Sequence, residues 1–162
     1  AGAQAWLKQR PDDNALRTLM ANLLLAQNEI PAAIGEFEMV LAKEPRNPVV
    51  LNNLAWLKRD SDRERALSYA RRALTLAPTS PEVQDTYAYL LMQSGKVPEA
   101  LRLFKVAAVN SGNPEIHTHY AMALKDQGDR QEALAVLDRL LQSKSLTETQ
   151  RASAEKLRAS ML

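Results

Sequence analysis

The sequence predicts an all-α protein built from helix-turn-helix repeats, and three observations lead to this prediction. Small residues recur at intervals of 34, 33 and 33 positions in a column made of Ala21, Ala55, Ala88 and Ala121. Turns rich in Pro, Asn and Ser recur in phase with that column. Between the turns the apolar residues follow helical spacing, as in Leu16, Leu19, Met20, Leu23 and Leu24. No segment alternates with the period of a β-strand, so no sheet is expected.

Two further columns locate the crossings between helices. One is Ala33, Ala66, Ala100 and Ala133, and the other is Val40, Ala73, Ala107 and Leu140. Two antiparallel helices approach to about 8–10 Å only where the residues at their crossing are small. We therefore expect the alanines to be buried crossing points, with Phe37, Phe104 and Leu137 filling the wider spaces.

The columns and turns divide the chain into successive segments. Residues 1–13 are predicted to be the end of a truncated upstream repeat, in which Trp6 and Leu7 are apolar. Four repeats follow, at residues 14–47, 48–80, 81–113 and 114–146. Residues 147–162 predict an amphipathic helix that caps the last repeat, with Ala154, Leu157 and Met161 on one side.

Short polar segments mark where several helices begin. Pro98 suits the first turn of a helix, where a missing backbone N–H leaves no helical hydrogen bond unmade. Three pairs of residues have the spacing at which an N-cap meets the third helical position: Ser61 with Glu64, Asp129 with Glu132, and Thr147 with Gln150. These pairs predict helix starts near residues 62, 130 and 148.

Composition argues against several classes of function. The 162 residues carry 21 Lys and Arg against 19 Asp and Glu, a formal charge of +2, which is too near balance to indicate nucleic acid or an anionic membrane as the partner. The absence of Cys excludes disulfides and thiolate metal sites. No apolar run approaches the roughly 20 residues of a membrane-spanning helix. The chain begins with Ala, so any targeting segment is expected to lie outside it.

The columns resemble the tetratricopeptide repeat family, whose pattern is W-x2-L-G-x2-Y, then A-x3-F, then P. The matching residues in the first repeat are Arg17, Met20, Ala21, Leu24, Ala33, Phe37 and Pro45. In the third repeat they are Gln84, Tyr87, Ala88, Leu91, Ala100, Phe104 and Gly112. The first-position Trp is absent, Ala replaces Gly throughout, and the second repeat is one residue shorter before Ala66. The resemblance implies a right-handed α-solenoid of such repeats with a C-terminal capping helix.

Longer segments, among them "AWLKQRPDD", "LNNLAWL" and "NPEIHTHYAMAL", resemble a narrower group. This group is the C-terminal part of the repeat lipoproteins that accompany PEP-CTERM and exopolysaccharide systems in Gram-negative bacteria. Other bacterial repeat proteins of envelope assembly contain similar sequence segments. The resemblance implies a periplasmic protein that is tethered to the outer membrane through a lipidated Cys upstream of this chain, and a cytoplasmic location is the alternative.

In a solenoid of this kind the first helices line a concave groove, so their outward side chains are the candidates for binding a partner. The predicted partner-binding groove consists of Asn22, Asn52, Asn53, Trp56, Arg59, Asp85, Thr86, Tyr89 and Met122. The amides of Asn52 and Asn53 donate and accept at once, which matches the peptide units of an extended segment. Trp56 and Tyr89 supply apolar area with a polar tip. The alternative is that Asn53 holds a neighbouring backbone and Trp56 is packing.

The charges on this face predict the kind of partner. The carboxylates are Asp60, Glu82, Asp85, Glu115 and Asp126, and the cations are Arg59 and Lys125. An acidic groove favours a neutral or basic protein segment. A few hydrogen bonds and two aromatic contacts, less the cost of association, predict roughly micromolar affinity.

Other chemistries find no support in the sequence. His117 and His119 are two positions apart on a helix and point in nearly opposite directions, so structural histidines are expected rather than a metal site. No nucleophile elbow, phosphate loop or nucleotide fingerprint occurs, so neither an enzyme nor a cofactor is predicted. Helical-repeat RNA binders need a basic surface, which this groove lacks.

The sequence therefore favours a non-catalytic scaffold that binds a peptide or a partner protein in its concave groove. The narrower resemblance places this scaffold in bacterial envelope export or exopolysaccharide machinery. Two alternatives remain open. One is a purely structural or self-associating solenoid segment with Trp6 and Leu7 as the contact surface, and the other is a cytosolic adaptor.

Overall fold

The computed structural model describes residues 13–162, which form nine α-helices and contain no β-strand. The helices are α1 (Asn14–Ala26), α2 (Ile30–Lys43), α3 (Pro48–Lys58), α4 (Arg63–Leu76), α5 (Pro81–Gln93), α6 (Val97–Asn110), α7 (Pro114–Gln127), α8 (Arg130–Leu141) and α9 (Glu148–Ala159). Each of the four predicted repeat ranges holds two of these helices. Trp6 and Leu7, with the predicted end of an upstream repeat, lie outside the described residues.

The chain divides into two compact units. Unit 1 is Ala1–Ala77, and its described part holds α1 to α4. Unit 2 is Pro78–Leu162 and holds α5 to α9. Within each unit every helix packs on the next one, and in unit 2 α5 also contacts α7 and α9 contacts α7. Each unit therefore contains two successive helix pairs, and unit 2 contains the C-terminal helix as well.

The first helix of each of the last three repeats begins in the same way. Asn47, Ser80 and Asn113 directly precede α3, α5 and α7, and the side chain of each accepts hydrogen bonds from backbone N–H groups of the first helical turn. A proline follows each cap at the first helical position, where its fixed φ suits the helix. The recurring cap-proline pair explains why the turns recur in phase along the sequence.

The three predicted capping pairs have different outcomes. Asp129 accepts a hydrogen bond from the backbone of Glu132 at 3.3 Å, and Thr147 forms the reciprocal capping box of α9. These two predictions are confirmed. The predicted Ser61 cap is wrong, because α4 begins one residue later and the carboxylate of Asp62 caps it by accepting from the backbone N–H of Arg65 at 3.1 Å.

The alanine columns lie in the cores of the two units, as expected. In unit 1 the fully buried column residues are Ala21, Ala33, Val40, Ala55, Ala66 and Ala73. In unit 2 they are Ala88, Ala100, Ala107, Ala121 and Ala133, with Leu140 almost fully buried. Phe37, Phe104 and Leu137 are completely buried beside them. Small residues thus allow the close approach of paired helices, and the larger rings fill the space that remains.

Helix α9 covers the end of the last repeat in unit 2. Ala154 and Met161 belong to the same buried cluster as Leu137 and Leu140 of α8. The guanidinium of Arg151 donates to the backbone carbonyls of residues 141 and 143 at 3.0 and 2.9 Å, which satisfies acceptors at the end of α8. The amphipathic helix predicted from the sequence therefore packs as a cap.

Candidate partner-binding surface

Five of the predicted groove residues lie in unit 1, on α1, on α3 and directly after α3. Asn22 on α1 is exposed, and Asn52, Asn53 and Trp56 on α3 are each half-buried, as is Arg59, the residue that follows α3. Residues 52 and 56 are one helical turn apart and therefore neighbours on the same face of α3. A buried apolar row of α3, which includes Leu51 and Leu54, holds the helix against its neighbours and so fixes the direction of these side chains.

Trp56 and Arg59 form a single structural feature at the end of α3. The guanidinium carbon of Arg59 lies 4.3 Å from the centroid of the Trp56 ring, and its Nη1 donates to the backbone carbonyl of Trp56 at 2.8 Å. The Nε of Arg59 lies 3.3 Å from the carboxylate of Asp60. A cation over an indole contributes about 0.5–1 kcal/mol at a partly exposed site. The result is a fixed platform with an apolar ring and a charged edge.

Asn52 has an unsatisfied amide next to that platform. Its Oδ1 is buried and accepts no hydrogen bond from the described residues. Asn14 and Gln84 also have a buried oxygen without a donor, but their amide nitrogens donate to Glu44 and to the carbonyl of residue 78. A buried acceptor without a partner costs about 1–3 kcal/mol, and because this oxygen is enclosed, a partner's N–H does not reach it in this arrangement.

Unit 2 holds the other four predicted residues, and two of them are buried. Asp85 is 8% exposed and Thr86 is 5% exposed, which differs from the expected open face. The Nδ1 of His119 on α7 donates to both carboxylate oxygens of Asp85 at 3.0 and 2.9 Å. Because the carboxylate is engaged within the unit, Asp85 does not add an open negative charge to the surface. The acidic character predicted for this face therefore depends on the other carboxylates.

Tyr89 and Met122 in unit 2 are half-buried and pack against the core of that unit. The ring of Tyr89 lies 4.9 Å from the imidazole of His119, centroid to centroid, and that imidazole is 6.2 Å from the ring of Phe104. The structure thus brings Asp85, Tyr89 and His119 together in one cluster. Part of the area that the sequence assigned to a partner is used for packing between α5 and α7.

The two histidines have the structural roles predicted for them. His117 Nε2 donates to the carbonyl of Ser111 at 2.9 Å, and His119 pairs with Asp85. In the part of the chain that the structure describes, no three His, Asp or Glu side chains are grouped to hold a metal ion. Within residues 13–162 no helix is both long enough and apolar enough to cross a membrane.

One surface feature was missed by sequence reasoning. A hollow of about 550 Å³ lies among α6, α7 and α8 in unit 2, on the side of the second helices rather than on the predicted groove. Its walls include Val136 and Arg139, and Gly112 lies in the turn before α7. The sequence does carry a signal for it, because Gly112 occupies a column in which the other repeats have proline.

The tetratricopeptide repeat profile matches residues 4–149, which is most of the chain. The chain belongs to the tetratricopeptide repeat (TPR) family. Proteins of this family are in general non-catalytic scaffolds for protein–protein interaction, in which stacked helix pairs expose extended binding surfaces. The repeat columns predicted from the sequence are therefore those of a TPR protein.

Individual relatives support the same fold. The TPR repeat-containing protein PA4667 of Pseudomonas aeruginosa is 29% identical over 108 residues, which cover 64% of this chain and 18% of that protein. The chain thus spans less than a fifth of the length of this relative. The crystal structure of TTC0263, a thermophilic TPR protein of Thermus thermophilus, matches with a TM-score of 0.77 at 21% identity, over 96% of this chain and 86% of that one.

A third similar structure is PilW, described as a widely conserved type IV pilus biogenesis factor. It matches with a TM-score of 0.75 at 17% identity, over 93% of this chain and 78% of that one. Identities this low establish a common fold and no shared partner. The all-α TPR architecture is nevertheless the same in a thermophile protein and in a pilus factor.

Proposed function

We propose that this TPR segment binds an extended peptide or a segment of a partner protein along its first helices, with α3 as the principal contact. The observation that carries the proposal is the group of residues on α3. Asn52 and Asn53 carry half-buried amides, and one turn after Asn52 the Trp56 ring lies under the Arg59 guanidinium. Amides beside an aromatic platform are what a peptide backbone and a neighbouring apolar side chain require.

The partner segment is proposed to be neutral or basic. Four of the carboxylates predicted on this face, Asp60, Glu82, Glu115 and Asp126, belong to exposed residues. The pairing of Asp85 with His119 and the contact of Asp60 with Arg59 both reduce the open negative charge that was counted on the sequence. The preference for a basic segment should therefore be weaker than the sequence implies. The affinity should stay near micromolar, because only a few side chains at α3 are available for contact.

The setting proposed for this scaffold is bacterial envelope export or exopolysaccharide machinery, on the periplasmic side. The resemblance of "AWLKQRPDD" and "LNNLAWL" to repeat lipoproteins of such systems supports this proposal. The fold is also found in a pilus biogenesis factor. The N-terminal sequence of the full gene tests the setting: an export signal followed by a lipidated Cys supports it, and an N-terminus without any export signal contradicts it.

Capture from an envelope extract tests the binding surface. The immobilised chain is compared with Asn53→Ala and Trp56→Ala, and the captured proteins are quantified by mass spectrometry. We expect Trp56→Ala to lower the affinity for a specific partner about tenfold or more, as for a buried aromatic anchor, and Asn53→Ala to lower it about fivefold. The control is Tyr69→Ala on α4, which also removes an aromatic ring next to an arginine, with its guanidinium 5.9 Å away.

The outcomes separate binding from self-association. Equal capture by wild type and by both α3 variants would contradict the proposed surface. Light scattering at rising concentration then tests self-association. If it shows oligomers that Trp6→Ser and Leu7→Ser abolish, the alternative of a self-associating segment replaces the proposed binding surface. Loss of capture by Tyr69→Ala as well would indicate a general loss of folded protein, which circular dichroism of each variant detects.

A further inference from the structure

The second helices of unit 1 carry a shallow hollow. It is lined by Leu41, Pro45, Arg65, Tyr69 and Arg72, among others, and its volume of about 560 Å³ is largely open to solvent. The guanidinium of Arg72 lies 5.9 Å from the centroid of the Tyr69 ring and donates to the carbonyl of Pro45 at 2.8 Å. In this hollow a ring and a cation are already paired within the chain.

Unit 2 has the equivalent hollow two repeats later. Each residue that lines the hollow of unit 1 corresponds to a lining residue of unit 2 that is 67 positions further along the chain. The counterparts of the five residues named above are Ala108, Gly112, Glu132, Val136 and Arg139. The two hollows are therefore the same architectural site, and differences between them are differences of side chain.

Those differences enlarge the apolar part of the site and remove the ring that is paired with the arginine, while the rings of His117 and Tyr120 on α7 line this hollow. Val136 stands where unit 1 has Tyr69, Ala108 where it has Leu41, and Gly112 where it has Pro45. Around Gly112 no atom lies within the reach of an added Cβ, so the turn leaves space there. The hollow of unit 2, about 550 Å³, is the more enclosed of the two and falls within the range of about 300–1,000 Å³ typical of ligand pockets.

One of the two arginines of the site is retained and loses its internal partner. The other, Arg65, is replaced by Glu132, while Glu38 is replaced by Lys105. Arg139 corresponds to Arg72, but without a ring at position 136 it has nothing to stack on there. Within residues 13–162 neither Arg139 nor Lys105, a second cation on the wall, makes a hydrogen bond or an ion pair. Burial and then the carboxylates of Glu132 and Asp129 raise the pKa of the Tyr120 phenol, which also lines the hollow. Two cations are therefore available on the wall, together with one lining carboxylate, that of Glu132.

We propose that the hollow of unit 2 is a second binding site, which takes an aromatic side chain of a partner protein with an acidic residue beside it. The incoming ring replaces the ring that Tyr69 supplies in unit 1 and packs against Val136, Ala108 and Val109. The guanidinium of Arg139 covers the ring, as Arg72 is paired with Tyr69, and Lys105 and Arg139 attract the adjacent carboxylate. This site lies among α6, α7 and α8 in unit 2 and shares no lining residue with the α3 surface proposed above.

A defined peptide tests this site without knowledge of the natural partner. The probe is the fluorescein-labelled peptide Gly-Ser-Asp-Glu-Tyr-Glu-Asp-Ser-Gly, titrated with the full chain and followed by anisotropy. One control peptide has Ala in place of Tyr, and another has Gln and Asn in place of the acidic residues. We expect each control peptide to bind about tenfold more weakly than the probe, since one loses the ring and the other the carboxylates.

Protein variants locate the binding. Arg139→Glu reverses the charge of an exposed residue on the wall and should weaken binding of the probe about tenfold or more. Val136→Tyr should weaken it as much, because its ring takes the place that the ring of the peptide would occupy. The matched control is Arg102→Glu, which makes the same charge change at an exposed position of α6 outside the hollow. We expect it to change the affinity for the probe by no more than about twofold. Trp56→Ala should leave binding of the probe unchanged, which separates this site from the α3 surface.

Three results would overturn the proposal. These are equal affinities for the tyrosine and alanine peptides, wild-type affinity of folded Arg139→Glu, and no binding of the probe at millimolar concentration. Val136 is almost completely buried, so its Tyr variant is checked by thermal unfolding. If that variant does not fold, Arg139→Glu and the alanine peptide still decide the outcome.

Discussion

At the residue scale, the pairing of Asp85 with His119 shows how a side chain predicted for a partner becomes part of the fold. A carboxylate that leaves water loses solvation, and hydrogen bonds must compensate for this loss. Both oxygens of Asp85 receive a hydrogen bond from the imidazole of His119, and Tyr89 packs against the same ring. The contact joins α5 to α7 and therefore links the first helices of consecutive repeats within unit 2.

Replacing Asp85 should destabilise unit 2. Asp85→Ala leaves the Nδ1–H of a largely buried imidazole without its acceptor, and we expect the free energy of unfolding to fall by about 1–3 kcal/mol. Urea unfolding followed by circular dichroism measures it. The control Asp126→Ala removes an exposed carboxylate from α7 and should change stability by less than about 0.5 kcal/mol. Equal effects of the two substitutions would show that the pair contributes nothing to stability.

At the scale of the helix, capping side chains decide where each element begins. The boundary of α4 differs from the prediction by one residue, because Asp62 and Ser61 are both competent caps and the sequence does not rank them. The carboxylate of Asp62 also interacts favourably with the positive end of the helix dipole. Helix α9 has both halves of a capping box, with Thr147 bonded to the backbone of Gln150 and Gln150 to the backbone of Thr147.

Removing the cap should loosen α9 and with it the end of the last repeat. Thr147→Ala deletes the side-chain acceptor for the N–H of Gln150, and we expect a loss of about 1 kcal/mol in the free energy of unfolding. Thr149→Ala is the matched control, since residue 149 is exposed within α9 and alanine is the better helix former. Thermal unfolding compares the two variants. A larger destabilisation by Thr149→Ala would contradict the role assigned to the cap.

At the scale of the whole molecule, the fold is a repetition of one contact, in which alanines let paired helices approach closely. Apart from Val40 and Leu140 the columns are filled by alanine in both units, and all their residues except Leu140 are fully buried. A repeat protein depends on contacts between neighbouring helices, so each crossing supports the packing of the elements next to it. The same repetition places an equivalent hollow on the second helices of each unit and lets the side chains of the two be compared position by position.

A larger residue at a crossing should cost stability in proportion to its burial. Ala133→Leu on α8 forces extra atoms into a fully buried contact, and we expect a loss of about 1–3 kcal/mol. Ala135→Leu makes the same change two residues away at an exposed position, where the expected effect is within about 0.5 kcal/mol. Chemical unfolding of the two variants gives the difference. A crossing that tolerates leucine would contradict the assignment of the columns.

Much of the fold was predictable because it depends on local and periodic signals. Helical spacing, cap residues and the recurrence of alanine are properties of short segments, so the helices and the buried columns followed from the sequence alone. The candidate surface was less predictable. The position of Asp85 on a first helix gave no indication of its burial, because the partner that engages it, His119, is 34 positions away. The platform of Trp56 and Arg59 likewise depends on a side-chain orientation that spacing does not specify.

The sequence by itself determined the class of this protein: an all-α TPR fold of paired helices with alanine crossings and a C-terminal capping helix. These features follow from residue size and spacing, which act the same way in every repeat. Only the tertiary structure decided which outward side chains stay open and that Asp85 is satisfied, while the buried oxygen of Asn52 has no donor among the described residues. It also decided that Val136 lines one hollow where Tyr69, paired with an arginine, lines the other. The physical reason is that exposure and pairing depend on neighbours brought together by packing, and those neighbours are distant in the chain.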